Sequence, residues 1–168
     1  SMGLPDYSYY FVLKDFLPVL RELGEVIVVE HEQDIQSACQ QARGSGQPSL
    51  FLSFTPPHKT PLGLPCKTLP VFAWEFSSIP NEHWQNDQRQ NWCLVLQELG
   101  AAITHSGQIV QAVRRELGDD FPIISVPSPV WDKYARLRQH KHQPLNPAVL
   151  HLSSGVVIDS HDPRLWPY

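Results

Sequence analysis

The segment A-A-I-T-H-S-G-Q-I-V-Q-A-V-R-R-E-L-G-D-D-F-P-I-I-S-V, residues 101–126, decides the fold. Ala101–Thr104 is a short apolar run of strand length. Ser106 follows as a helix N-cap candidate. Ile109, Val110, Val113 and Leu117 then recur at helical spacing until Gly118 supplies a stop. Pro122–Val126 is a further β-branched run. Strand, helix and strand in this span predict a βαβ unit, and a crossover helix of that kind joins parallel strands.

Upstream the alternation continues. Thr68–Trp74 and Ser49–Phe54 read as strands, and the polar, tryptophan-rich stretch Asn81–Glu98 is expected to contain a helix. Ile35, Ala38, Cys39 and Ala42 fall three and four apart, predicting a helix that ends near Gly44. Glu25–Glu30 carries Val26, Ile27, Val28 and Val29, the composition of a buried strand. Tyr7–Leu23 places most of its apolar residues on one helical face, with Gly24 as a stop and Pro18 kinking the helix or opening its second half. The whole pattern predicts an α/β domain over residues 4–132, a parallel sheet with helices on both faces. Beyond Trp131 the periodicity ends. Lys133–His142 is basic and polar, and residues 133–168 read as a linker or trailing segment, with Leu150-His151-Leu152 and Val156-Val157-Ile158 as short strand candidates.

Composition narrows the function classes. A chain of 168 residues, 42% apolar and 18% charged, buries roughly 70% of its unfolded surface without a metal or disulfide staple. Net charge is −4 with no broad basic face, which argues against duplex nucleic acid. Cys39, Cys66 and Cys93 form no C-x-x-C pair, so buried, inert thiols in a reducing compartment are expected. No apolar run nears the roughly 18 residues of a membrane span and no signal-like leader opens the chain. A cytoplasmic setting is expected. G-x-G-x-x-G, G-x-x-x-x-G-K-[ST] and G-x-S-x-G are all absent, which argues against a complete dinucleotide, nucleoside-triphosphate or hydrolase site.

Ligands of parallel α/β sheets bind beyond the carboxyl ends of the strands, so the residues ending each strand are the candidates. These are His58 and Lys59, then Trp74 and Glu75, then His105 and Ser106, then Pro127-Ser128-Pro129. Each admits two readings. Glu75 is either a carboxylate that steers or deprotonates a hydroxyl, or one that orders its loop. Trp74 is an apolar platform for a sugar or lipid face, or a packing residue. His58 and Lys59 are a pair for an anionic ligand or a solvated pair. His105 and Ser106 are an anion site at a helix N-terminus, or a simple N-cap. His140-Lys141-His142 supplies two histidines but no complete metal set, and Lys133, Arg136, Arg138 and Lys141 are either a contact for anionic lipid or a solvated linker.

Three of these segments carry a resemblance. Val71-Phe72-Ala73-Trp74-Glu75-Phe76-Ser77-Ser78-Ile79-Pro80, with Trp84 after it, resembles the "WE…P..W" segment of GT-B glycosyltransferases of the large retaining, family 4-like group. Thr104–Arg114 is similar to that family's "vpS…a.r" segment, and Ile124–Asp132 to its "v.P.pvd" segment, in the same order. The resemblance covers about Leu4–Asp132 and implies a Rossmann-like N-terminal, acceptor-side domain. It further implies transfer of a sugar from a nucleotide-sugar donor to a glycan or glycoconjugate acceptor, at the cytoplasmic face, during polysaccharide or glycoconjugate assembly. Glu75 would be its catalytic residue, with Trp74, His58, Lys59, His105 and Ser106 binding substrate and no metal required. The family opens with a strand and a glycine-rich loop and carries a C-terminal donor domain with paired glutamates. This sequence starts at a helix and has His105 where proline is usual. The expectation is therefore half an enzyme, inactive alone, with peripheral membrane contact and fragment homodimerisation as further expectations. Two rivals are a non-catalytic module for protein or glycan recognition and a small flavodoxin-like regulatory domain.

Overall fold

The computed structural model describes residues 5–136 except 30, 45, 47 and 85, and contacts divide the chain into the units Ser1–Asp132 and Lys133–Tyr168. Helices α1 (Pro5–Leu23) and α2 (Glu32–Gly44) precede strand β1 (Leu50–Ser53) and strand β2 (Lys67–Phe72). Helix α3 (Trp92–Leu99), strand β3 (Ala102–Thr104), helix α4 (Gly107–Leu117) and strand β4 (Ile123–Ser125) follow. The four strands form one parallel sheet in the order β1-β2-β3-β4. Phe72 lies opposite Thr104, and Thr104 opposite Ser125. The chain is α/β and Rossmann-like, with helices flanking the sheet.

The βαβ unit forms as its sequence predicts. Ser106 Oγ accepts the Ile109 N–H at 3.4 Å as N-cap, and Gly118, at φ +100°, accommodates the stop that a side chain would strain. Ile109, Ala112 and Val113 are buried, and Val110 and Leu117 pack at the margin. Crossovers between neighbouring parallel strands are right-handed, so α3 and α4 share one face of the sheet. There they enclose Phe72, Trp92, Leu96, Ala102 and Ile123. Gly100 ends α3 at φ +73°, and Lys67 Nζ donates to the terminal carbonyl of Leu99 at 2.8 Å.

Two expectations are corrected. Val26–Val29 belongs to no strand or helix, and Ile27 and Val28 are exposed. β-Branched composition favours an extended backbone, yet a ladder needs a partner, and among the described residues β1–β4 pair only with one another. The cysteines also depart from expectation. Cys39 on α2 and Cys66 before β2 are joined by a disulfide with Cα atoms 5.8 Å apart, and only Cys93 is free. Equal spacing along the chain carries no information about which thiols meet, because α2 turns Cys39 inward beside Ile35. Cys93 keeps the expected inert character, since burial and then the Glu116 charge push its thiol above the ordinary range. His140-Lys141-His142, Arg138 and the two strand candidates after residue 149 lie outside the described residues.

The disulfide closes a loop of 27 residues, so the chain-entropy account assigns it about 3–4 kcal/mol. Cys39→Ser should therefore lower the melting temperature by roughly 10 °C. Alkylation of the unfolded, oxidised protein should modify one thiol, and three after reduction. A melting temperature unmoved by Cys39→Ser would show that α2 is held without the bond.

Candidate functional site

Because every strand runs the same way, the segments leaving β1, β2, β3 and β4 all emerge on one rim. The first, Phe54–Thr60, is set by a run of hydroxyls. Ser53 Oγ lies 2.7 Å from Thr55 Oγ1, which lies 3.2 Å from the buried Thr60 Oγ1. These bonds hold a 3-10 turn, Pro57–Lys59, that presents His58 and Lys59.

Trp92 ties that turn to the second loop. Its backbone N–H donates to Pro80 O at 2.8 Å, and its indole N–H donates to His58 Nδ1 at 3.1 Å. The His58 ring stacks on it at 5.9 Å, Trp74 packs against it at 4.6 Å, and Phe76 lies 5.0 Å from Trp74. Trp74 closes its own loop by donating its indole N–H to Ser78 O at 2.7 Å. Arg115 and Asn81 anchor this loop to α4, the first through Ser77 O at 3.2 Å and the second through Glu116 at 3.2 Å. Glu75 stands exposed in the loop, with no hydrogen bond or ion pair among the described residues.

A third group joins from the turn Gln88–Gln90. Arg89 Nη2 donates to Thr60 O, which sets its guanidinium at the end of the His58–Lys59 turn. Asp87 caps this turn, accepting from Arg89 N at 2.9 Å and Gln90 Nε2 at 3.2 Å. These bonds hold the exposed Asp87 carboxyl below the ordinary range. Burial lowers the pKa of His58, and the charges of Lys59 and Arg89 lower it further against the opposing pull of Asp87.

His105 and Ser106 sit apart from this group. His105 Nδ1 lies 2.9 Å from Val126 O, a pure acceptor, so the proton is on Nδ1. Phe16 of α1 covers that ring at 5.8 Å and also packs on Phe54 at 5.5 Å. Ser106 Oγ is engaged as the cap of α4. Further along α1, the Tyr9 hydroxyl meets Ala73 O and Ala73 N, each at 3.3 Å. Burial, followed by the Glu75 charge, raises the pKa of Tyr9 although the Ala73 bond opposes the shift. The rim therefore has a covered side under Phe16 and an open side at Glu75 and Phe76.

Of the residues anticipated from sequence, the structure brings His58 and Trp74 together through Trp92, places Lys59 in the same turn as His58, and leaves Glu75 on the next loop. Arg89, Asp87, Trp92 and Tyr9 were not anticipated. The tryptophan-rich stretch pointed to the region, but nothing in its spacing shows which residue turns inward. Among the described residues no group of three His, Cys, Asp or Glu side chains is placed to hold a metal, and no helix is long and apolar enough to cross a membrane. In comparison with known proteins, no family model, no curated protein and no solved structure matches this chain.

Because the folded state favours neutral His58, its contribution to stability is complete above pH about 6.5 and is lost as pH falls through its lowered pKa. NMR titration should place His58 below 6.5. Asp87→Asn removes the one charge that raises it, so the midpoint should fall further. An upward movement would contradict this arrangement.

Proposed function

We propose that the chain is the acceptor-side domain of a GT-B glycosyltransferase, acting in transfer of a sugar from a nucleotide donor to a glycan or glycoconjugate. The observation that carries the reading is the convergence of all four carboxyl-end loops on one rim, with Trp74 and Glu75 on its open side. The "WE" pair of the resembling segment occupies the place where a ligand of a parallel sheet binds.

The residues divide the task by their chemistry. Trp74 is half-buried and Phe76 56% exposed, so together they offer an apolar surface to the C–H face of a sugar ring. Glu75, between them in sequence, is exposed and has among the described residues no hydrogen-bond or ion-pair partner that would consume its acceptor capacity. A carboxylate so placed accepts the proton of the acceptor hydroxyl as that oxygen attacks the donor sugar. Tyr9, held by Ala73 and close enough to feel the Glu75 charge, closes the amino-terminal side of the loop. The donor is held mainly by a second α/β domain, with basic side chains and helix N-termini stabilising the leaving diphosphate.

The reading carries a cytoplasmic location at the inner membrane face and assembly of a surface polysaccharide or glycoconjugate. In a reducing cytoplasm Cys39 and Cys66 would stand as a thiol pair, close enough to form the bond on oxidation.

The test is titration of the chain with methyl glycosides and, separately, with nucleoside diphosphates, followed by amide NMR. Glycosides should shift residues 73–80 while the diphosphates leave them unmoved, and Trp74→Ala should weaken glycoside binding about tenfold. In the complete enzyme Glu75→Ala should lower turnover by about 10²–10⁴ with glycoside affinity little changed. Intact turnover in that variant, or glycosides that never touch this loop, would end the reading.

A further inference from the structure

We propose that Tyr9 of α1 is a positioning residue for glycosyl transfer: its hydroxyl fixes the backbone that carries Glu75, an inference that rests on the acceptor-side reading and adds the residue that aims its base.

The Glu75 carboxylate does not hold itself in place. It is exposed and has no hydrogen-bond or ion-pair partner among the described residues, so its position is inherited from the backbone on either side. On the carboxyl side the loop is closed by the Trp74 indole on Ser78 O at 2.7 Å and by Arg115 on Ser77 O at 3.2 Å. On the amino side, β2 and β3 make their last pair at Phe72 and Thr104. Ala73 is the next residue, and there the Tyr9 hydroxyl takes over, donating to Ala73 O and accepting from Ala73 N, each at 3.3 Å. A phenol can do both at once, as a residue of a neighbouring strand would.

That hydroxyl is itself held. The Tyr9 ring packs against the core cluster that contains Phe72 and Trp92, as Trp74 does. Seven residues on, and on the same helical face, Phe16 is the one buried side chain among those described in α1. It lies against Phe54 at 5.5 Å and His105 at 5.8 Å. One face of α1 therefore touches the residues that follow β1, β2 and β3, and the helix braces Ala73 from a fixed seat.

The brace acts on the chemistry more than on the binding surface. Burial and then the Glu75 charge raise the pKa of the phenol, against the pull of the Ala73 bond, so it stays a donor at the pH where Glu75 would act as a base. Trp74 keeps its own bond to Ser78 O when the Tyr9 hydroxyl is removed, so the ring that would carry the sugar stays in place. The carboxylate beside it loses one of its two supports. A base displaced by a fraction of an ångström transfers a proton poorly although the substrate still binds.

Tyr9→Phe keeps the packed ring and removes only the hydroxyl. In the complete enzyme it should lower kcat about tenfold with KM for the acceptor unchanged. Added to Glu75→Ala it should cost nothing further, because Tyr9 acts through that carboxylate. Tyr10→Phe, at the exposed neighbour, should change neither constant. In the chain of 168 residues, carbon-detected NMR should show Ala73, Trp74 and Glu75 shifted by Tyr9→Phe. In the unmodified chain the Ala73 carbonyl should titrate with the Tyr9 phenol, since a phenolate no longer donates to it. The midpoint should lie above the ordinary 10.0, and Glu75→Gln should bring it down. This titration decides even should Tyr9→Phe misfold, because an Ala73 carbonyl indifferent to the phenol overturns the proposal. So does a kcat left unchanged by Tyr9→Phe, or a loss that persists in full on the Glu75→Ala background, the mark of a structural role alone. In those cases Glu75→Ala by itself still reports on the acceptor-side reading. Turnover that survives Glu75→Ala while Ala73 follows the phenol ends that reading, and the catalytic role of Tyr9 with it.

Discussion

The burial of Trp92 is the constraint on which the rim depends. The residue is 3% exposed, yet it stands at the first turn of α3 rather than in the middle of an element. Its ring meets Phe72 of β2 edge-on at 5.6 Å, joining it to the apolar layer under α3 and α4. Its two N–H groups cannot be left unpaired in such a place, and they bond Pro80 O and His58 Nδ1. Those partners belong to the two loops that leave β2 and β1. The geometry of the surface site is thus set by how one large side chain satisfies its polar atoms inside the core. Truncating a buried tryptophan costs about 3–5 kcal/mol, and here the same change would release both loops at once.

Much of the scaffold was legible because its signals are local. The segment 101–126 has a cap, an apolar helical stripe, a glycine stop and flanking β-branched runs, and each acts within a few residues. Propensity and pattern agree there, so the element forms as read. Val26–Val29 has the stronger β composition and still joins no sheet. A strand is completed by its neighbour, and the neighbour is chosen by the whole chain rather than by the segment. The Cys39–Cys66 bond was illegible for the same reason, since it depends on α2 settling beside the approach to β2.

The site was legible by half. Reading which residues end each strand found Trp74, Glu75, His58 and Lys59, because a parallel sheet obliges those loops to share a rim. It could not tell open from covered. His105 ends β3 just as Glu75 follows β2, but Phe16 of α1 lies over one and leaves the other exposed. Arg89 was out of reach because its relation to His58 is made by a single bond to a backbone carbonyl, which no residue type announces.

The strand order completes the argument. A sheet whose strands follow in sequence, β1 to β4, has no reversal, and a reversal is what opens a crevice in many doubly wound sheets. This rim must take its shape from side chains and loops instead. Phe16 closes the side over Phe54 and His105, while Trp92 ties the loops after β1 and β2 together through contacts with His58 and Trp74. A flat end of a sheet, equally accessible along its width, thereby becomes a surface with a direction. Phe76 and Glu75 are exposed at one side of it, and the turn bearing His58 stands on the other side of Trp92's two bonds. That direction comes from packing around Trp92 and under Phe16, which neither the strand order nor the composition specifies by itself.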